Sequence, residues 1–473
     1  MTLIALLIGI AVPATLGWLL LRTIEGHHPL LLRGERIVYG FTLGPTAMML
    51  IILVCHALTI TQITFTGFLA PVIICIAVLL LWNWKRGTLQ NSAGAVLQHH
   101  PSPSRPLLVL IVILLLWSGI KVVSGTVDAF TVPTYWDDSF NNWNMRGKLF
   151  YHEKAIVLEI PGGNDVTQDS TGVSSYPMSL PLMKTWLSTL RGSWNESLVN
   201  GIQVLWYLGI IGTLWYGLRR RLSPAISALG VYAFIALPLV LIHGVNPYAE
   251  VFVASHLLIT LLCVTSALDA TTEKDVMGWL SLSGLSLGLL AFTKNEGMAL
   301  YVPLVIASIC WTLYAQTKAG VLSQSQLKRT ALKTFALAGL IIIPWLAFKY
   351  AHGLSFGNGK AVSALSLSFS PRAIQSIWYQ LSHEPNFLLL PLLLPVTVIL
   401  AGGDRVRGSK ALLIAFVLTA LVLQWGIFVF VTALATEAVK QTGLSRGMVH
   451  IAPVAVFVLV LLWEEILRNS HKK

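Results

Sequence analysis

Pro106-Leu107-Leu108-Val109-Leu110-Ile111-Val112-Ile113-Leu114-Leu115-Leu116-Trp117-Ser118-Gly119-Ile120-Lys121-Val122-Val123-Ser124 is long and apolar enough to cross a bilayer as one helix. It leads shortly into Tyr135-Trp136-Asp137-Asp138-Ser139, two adjacent carboxylates in a chain with only 20 Asp and Glu among 473 residues. Apolar runs of similar length recur on both sides of this pair. The hydrophobic fraction is 55%, charged residues make up 11% and the mean hydropathy is +0.73, far from the quarter of charged residues usual in soluble domains. The expected fold class is all-α: a polytopic integral membrane protein of about 13 transmembrane helices, with interfacial helices in a large external loop.

The expected spans lie near residues 2–21, 37–60, 66–83, 106–124, 197–218, 224–242, 249–268, 277–293, 298–316, 332–350, 387–402, 411–434 and 448–466. Arg33, Arg36, Lys85, Arg86, Arg219 to Arg221, Lys328, Arg329, Arg405, Arg407 and Lys410 fall in alternate connections, which makes that face cytoplasmic. The N-terminus is then outside, the C-terminus cytoplasmic and the Asp-Asp loop extracytoplasmic. The net charge of +12 follows from this asymmetry and from anionic headgroups, and adds nothing to a nucleic-acid reading. Residues 1–21 lack a basic n-region and read as a retained helix, not a signal peptide. Cys55, Cys75, Cys263 and Cys310 all fall in apolar spans, so neither a disulfide framework nor a CxxC site is implied.

Residues 125–196 form the one long external segment, far above the usual connection length. A helix over 139–151 would carry Phe140, Trp143, Gly147 and Phe150 on one stripe, as if lying in the interface. Residues 176–191, with Pro177 in the first turn and Gly192 just past the end, predict a second helix. Residues 161–165 and 169–172 read as the turns between them. A second external segment, 351–386, combines Gly353, Gly357 and Gly359 with an interfacial helix near 371–382 and suits a lid. Residues 99–104 are a turn-rich linker, so that 1–105 reads as an N-terminal extension and 106–473 as the core.

On this topology polar groups collect at the external ends of several spans: Asp137 with Asp138; His243, Asn246 and Glu250; Lys294 and Glu296; Arg446 and His450. Arg446 and His450 are four apart and project from one side of a helix, a cradle for a phosphate to which Lys294 adds a point charge. Beside the acids, such a pocket fits transfer of a group from a lipid-linked phosphate to a hydroxyl: Asp137 or Asp138 takes the proton, while Lys294, Arg446 and His450 hold the donor phosphate. Glu296, Glu250, His243, Asn246, Tyr176 and Trp136 are the candidate orienting and substrate-contacting groups. A divalent metal stays open, with Glu250 and His243, or Asp137 with either, as its ligands, although no two-histidine zinc spacing is present; no other cofactor is implied.

Plainer readings stand beside these. Asp138 could simply cap the helix that starts at Ser139, Arg446 and Lys294 could snorkel to headgroups, and His243 could be a polar turn residue. Trp117, Trp206, Trp215, Trp345, Trp425 and Trp463 read as interface anchors, whereas Trp136, Trp143 and Trp194 could stack on a sugar or anchor the loop.

Tyr135-Trp136-Asp137-Asp138 in a large external loop, Thr293-Lys294-Asn295-Glu296-Gly297 after a span, and Ser445-Arg446-Gly447-Met448-Val449-His450 before Ala452-Pro453 together resemble the GT-C superfamily of polyprenyl-phosphate-sugar-dependent glycosyltransferases. Protein O-mannosyltransferases and lipid A aminoarabinose transferases belong to that superfamily. The resemblance implies a bacterial inner-membrane enzyme that passes a sugar, with inversion, from a polyprenyl-phosphate donor to an extracytoplasmic hydroxyl on a glycan, lipid or protein. It also implies that Asp137 or Asp138 is the general base. The competing class is a transporter or lipid flippase, whose ionisable groups would line a path near the midplane instead of clustering at one surface.

Overall fold

The computed structural model describes residues 2–89, 103–135, 138–158, 174–354, 366–403, 405–440 and 443–470. Trp136, Asp137, the turns expected at 161–165 and 169–172, Gly357, Gly359 and most of the 99–104 linker lie outside the described residues. The regular structure of the described residues is all helical, apart from an isolated bridge between Leu367 and Val431. In order, the helices are α1 (Thr2–Glu25), α2 (Arg33–Ala57), α3 (Phe65–Lys85), α4 (Arg105–Thr131), α5 (Met145–Glu153), α6 (Ser179–Arg191), α7 (Glu196–Arg219), α8 (Pro224–Ile235), α9 (Pro238–Val245) and α10 (Glu250–Leu268). They continue as α11 (Glu273–Ala291), α12 (Val302–Lys318), α13 (Gln324–Ala351), α14 (Pro371–Ser382), α15 (Leu390–Ala401), α16 (Gly408–Phe430), α17 (Thr432–Val439) and α18 (Gly443–Ser470).

Among the described residues, 10 helices are long and apolar enough to cross a membrane, or up to 11 if the bent pair α8–α9 counts as one span. The protein is thus a multi-pass membrane protein with fewer such spans than the 13 expected. Three of the expected spans account for the difference. Residues 224–242 break between Ile235 and Pro238 with a 76° bend, because Pro238 supplies no amide proton to continue the ladder. The helix at 387–402 shortens to Leu390–Ala401. Helix α11 forms but is not apolar enough over its length to qualify, since Glu273, Lys274 and Asp275 occupy its first turn and Ser281, Ser283 and Ser286 interrupt the rest.

Helices α1, α2, α6, α7, α10, α11 and α18 contribute to one continuous apolar core. The pairing of α1 with α2 is close because Gly17 faces Gly40 and Gly44: a Cβ on Gly17 would lie 2.1 Å from the Gly40 carbonyl oxygen, and one on Gly44 2.0 Å from that of Pro13. Backbones in lipid approach this tightly only where small residues line the seam. Trp206 and Trp345, expected at interfaces, are instead buried against Phe252 and against Phe292 and Phe348.

In the long loop, residues 139–153 are helical, but the first turn, Ser139–Asn144, is a π-helix. The wider turn rotates Phe140 away from Trp143, Gly147 and Phe150. Phe140 is exposed, while Trp143 and Phe150 are sealed beneath α6 together with Arg146 and Asn142. Helix α6 starts at Ser179, later than expected, and stops where Gly192 adopts φ +81°, a left-handed cap that glycine takes without strain. Helix α14 matches its predicted bounds.

Candidate functional site

The polar groups at the ends of α4, α9, α10, α11 and α18 meet in one network at one end of the bundle. Glu250, the first residue of α10, is fully buried and forms its centre: Lys294 Nζ lies 3.0 Å from its Oε1, and Arg446 Nε donates to the same oxygen at 2.7 Å. His243 Nδ1 is 3.5 Å from its other oxygen. Lys294 also pairs with Glu296 at 3.0 Å. Arg446 extends past Glu250 to the carboxylate of Asp138, with its guanidinium over the ring of Tyr248 at 4.9 Å from the centroid. Asp138 makes no side-chain capping bond to the turn that follows it, so the plain capping reading does not describe its side chain.

Local sequence explains how these groups reach one another. Arg446 and His450 share a face of α18, one turn apart, as their spacing predicts. Asp138 and Glu296 each immediately precede a π-helical turn, Ser139–Asn144 and Gly297–Tyr301, an irregularity that recurs at functional sites. Residue 297 must be glycine, because a Cβ there would sit 2.8 Å from the Leu290 carbonyl oxygen and 2.9 Å from Thr293 Oγ1. That close return lets the chain leave α11, present Lys294 and Glu296, and re-enter the bundle.

Exposure divides the network into a front and a back. Side-chain accessibility is 37% for Asp138, 44% for Glu296 and 23% for Arg446, against 5% for Lys294 and His243 and none for Glu250. An arriving molecule therefore meets Asp138, Glu296 and the outer edge of Arg446, while Glu250 holds the two cations from behind. Burial alone would lower the Lys294 ammonium, but Glu250 and Glu296 outweigh it and hold the group above the usual lysine range. Burial, with the charges of Glu296 and Asp138, raises the Tyr176 phenol well above its ordinary value. Tyr176 stands edge-on to Trp143 at 5.6 Å, and Arg146 donates to its carbonyl oxygen at 3.1 Å.

Not every candidate joins the cluster. The Asn246 amide turns back to the Ile242 carbonyl oxygen at 2.9 Å and stays outside the network. Trp143, completely buried, has no face free for a sugar. His450 sits one layer deeper than Arg446: its Nδ1 is 3.1 Å from the Tyr301 hydroxyl, and its Nε2 is buried without a hydrogen-bond partner. Tyr248, Tyr301 and Gln424 belong to the site and escaped the sequence reading, since aromatic and amide residues in apolar runs carry no spacing signal of their own. Among the described residues, no group of three or more His, Cys, Asp or Glu gathers as metal ligands.

The arrangement has the elements of acid–base chemistry on an anionic substrate: an accessible carboxylate beside a guanidinium, and two cations, one buried and one partly exposed, held by one buried carboxylate. A phosphate oxygen entering beside Arg446 would meet donors already oriented, with little reorganisation left to accompany charge development.

No protein-family model and no curated protein matches the sequence. Two crystal structures of ArnT from Cupriavidus metallidurans do match the fold, one in the apo state (TM-score 0.51, 14% identity) and one bound to undecaprenyl phosphate (TM-score 0.52, 13% identity). In both, the likeness covers 78% of this chain and 63% of the ArnT chain, so this chain spans less than two thirds of its neighbour's length. Over that 78% of its length, this membrane protein is similar in fold to ArnT.

Proposed function

We propose that the protein is a membrane glycosyltransferase that takes a sugar from a polyprenyl-phosphate donor and passes it to a hydroxyl on a glycan, lipid or protein at the extracytoplasmic face of a bacterial inner membrane. The observation that carries this reading is Arg446 bridging the accessible Asp138 and the sealed Glu250, with Lys294 held on the same Glu250 oxygen. The ArnT fold, solved elsewhere with undecaprenyl phosphate, supports it. In the reaction Asp138, or its neighbour Asp137, takes the proton of the acceptor hydroxyl as that oxygen attacks the anomeric carbon. The bond from that carbon to the phosphate oxygen breaks, and the polyprenyl phosphate leaves with inversion at the sugar. Arg446 and Lys294 stabilise the charge gathering on the departing phosphate. His450 lends a further donor, Glu250 aligns the cations, and Glu296, His243 and Tyr176 shape the surrounding wall.

The reading is tested by incubating purified protein with radiolabelled polyprenyl-phosphate sugars and candidate acceptors, beside the Asp137→Asn/Asp138→Asn variant. Label transferred by the wild type alone supports it. A donor moved across liposomes unchanged would point instead to a flippase, and full transfer by the double variant would remove the Asp base.

A further inference from the structure

We infer that Tyr301 is a positioning residue that fixes the tautomer of His450, so that the imidazole presents an Nε2 proton to the donor phosphate. The inference rests on the glycosyltransferase reading above for its purpose, but not for its geometry. Gln424, on α16, lies 2.6 Å from the Tyr301 hydroxyl and 3.2 Å from the Gly447 carbonyl oxygen through the same Nε2. Because the carbonyl can only accept, that Gln424 atom must be the amide nitrogen, and it donates to Tyr301 as well. With its oxygen accepting from Gln424, the hydroxyl has one proton to give. Two acceptors lie within its reach, the Gly447 carbonyl oxygen at 3.3 Å and His450 Nδ1 at 3.1 Å, and the imidazole nitrogen is the shorter contact and the one with no other hydrogen-bond partner. The hydroxyl therefore donates to Nδ1, and the ring proton resides on Nε2, because the partner of one imidazole nitrogen determines the state of the other.

The rest of the molecule is built to keep this relay in place. Tyr301 is completely buried, closes the π-turn that begins at Gly297, and packs edge-on to the imidazole at 5.5 Å. A Cβ on Gly447 would come within 3.1 Å of the Gln424 side-chain oxygen, so a larger residue there would push the amide off its two acceptors. His450 Nε2 is the atom left over: buried, without a hydrogen-bond partner, and one helical turn behind Arg446. A buried donor with nothing to bond to is costly when the site is empty, and a phosphate oxygen seated beside Arg446 would satisfy it.

The experiment combines histidine tautomers with kinetics. In uniformly labelled protein, 15N spectra assign His450 by the signals that vanish in His450→Gln. The expected wild-type pattern is a protonated Nε2 and an unprotonated Nδ1, with Tyr301→Phe giving a mixture or the reversed tautomer. Glutamine at 450 offers an amide donor near the Nε2 position and needs no tautomer. Tyr301→Phe is accordingly expected to lower kcat/KM for the donor about tenfold in the wild type and less than twofold in His450→Gln. Protonated Nδ1 in the wild type, or an equal loss from Tyr301→Phe in both backgrounds, would overturn the inference and leave Tyr301 a packing residue. If the wild type cleaves no polyprenyl-phosphate sugar, the functional reading fails, while the tautomer result still decides the role of Tyr301.

Discussion

At the scale of single residues, Asp138 and Glu250 are both carboxylates paired with Arg446, and their surroundings give them different work. Asp138 is partly solvated, so neutralising it removes the proposed base without exposing a buried charge. Asp138→Asn is expected to lower transfer at least about 100-fold while shifting stability by less than about 1 kcal/mol, as read by label transfer and thermal unfolding in detergent. Glu250 is sealed and compensates both Lys294 and Arg446. Glu250→Gln would leave buried Lys294 with only the partly exposed Glu296, and Arg446 with only Asp138, and should cost about 1–3 kcal/mol; unchanged unfolding would show that those outer carboxylates suffice.

Lys184 supplies a residue-scale prediction away from the site. It is fully buried on α6, donates to Asn144 Oδ1 at 2.5 Å and lies 3.3 Å from Asn200 Oδ1, and burial lowers its ammonium to about 7, with Glu196 opposing the shift. The folded state then binds fewer protons than the unfolded chain between about 7 and the ordinary value of 10.5, so stability rises with pH across that window. Unfolding followed from pH 7 to 10 should show this slope in the wild type and lose it in Lys184→Met; parallel curves would mean that the lysine stays charged in the fold.

At the scale of elements, two backbone approaches position the site. The turn from α11 into the π-helix depends on Gly297, and Gly297→Ala would drive a methyl group against the Leu290 carbonyl. Because Lys294 and Glu296 sit in that turn, the expected result is a loss of transfer of about tenfold or more with a stability loss of about 1–3 kcal/mol. The α1–α2 seam is equally close, and Gly44→Leu should separate the helices and lower the unfolding temperature more than any exposed leucine substitution on α4 does. Helix α14 shows a different coupling. Its Gln380 meets Ser445, next to Arg446, while Ile374, Trp378 and Tyr379 face outward, which ties an amphipathic surface helix to the start of α18.

At the scale of the whole molecule, the first two helices are integral to the core although they precede the loop-bearing part of the chain. Thr46 bonds His256 at 2.9 Å, Trp186 donates to the Gly9 carbonyl oxygen at 2.9 Å, and Glu35 binds Arg220. Each of these bonds joins α1 or α2 to a part of the chain far along the sequence, and at least one partner in each is buried. A chain lacking residues 1–105 should therefore aggregate instead of eluting as a single species, even though residues 106–473 contain every proposed catalytic group. A monodisperse, active truncation would show that the extension is dispensable.

The sequence by itself determined the all-helical membrane class, the position of the acidic pair after α4, the cap at Gly192, the bounds of α14, and the i, i+4 pairing of Arg446 with His450. All of these depend on local composition and short spacing, which the chain carries wherever it folds. Only the tertiary structure decided the number of membrane-length helices, because the chain bends at Pro238 within one expected span and another shortens to Leu390–Ala401. It also decided that Trp206 and Trp345 lie in the core, that Asn246 stays outside the network, that Asp138 faces Arg446 and leaves its own helix uncapped, and that Tyr301 and Gln424 stand behind His450. Contacts between residues more than a hundred positions apart are fixed by packing, and packing leaves no local trace in one sequence.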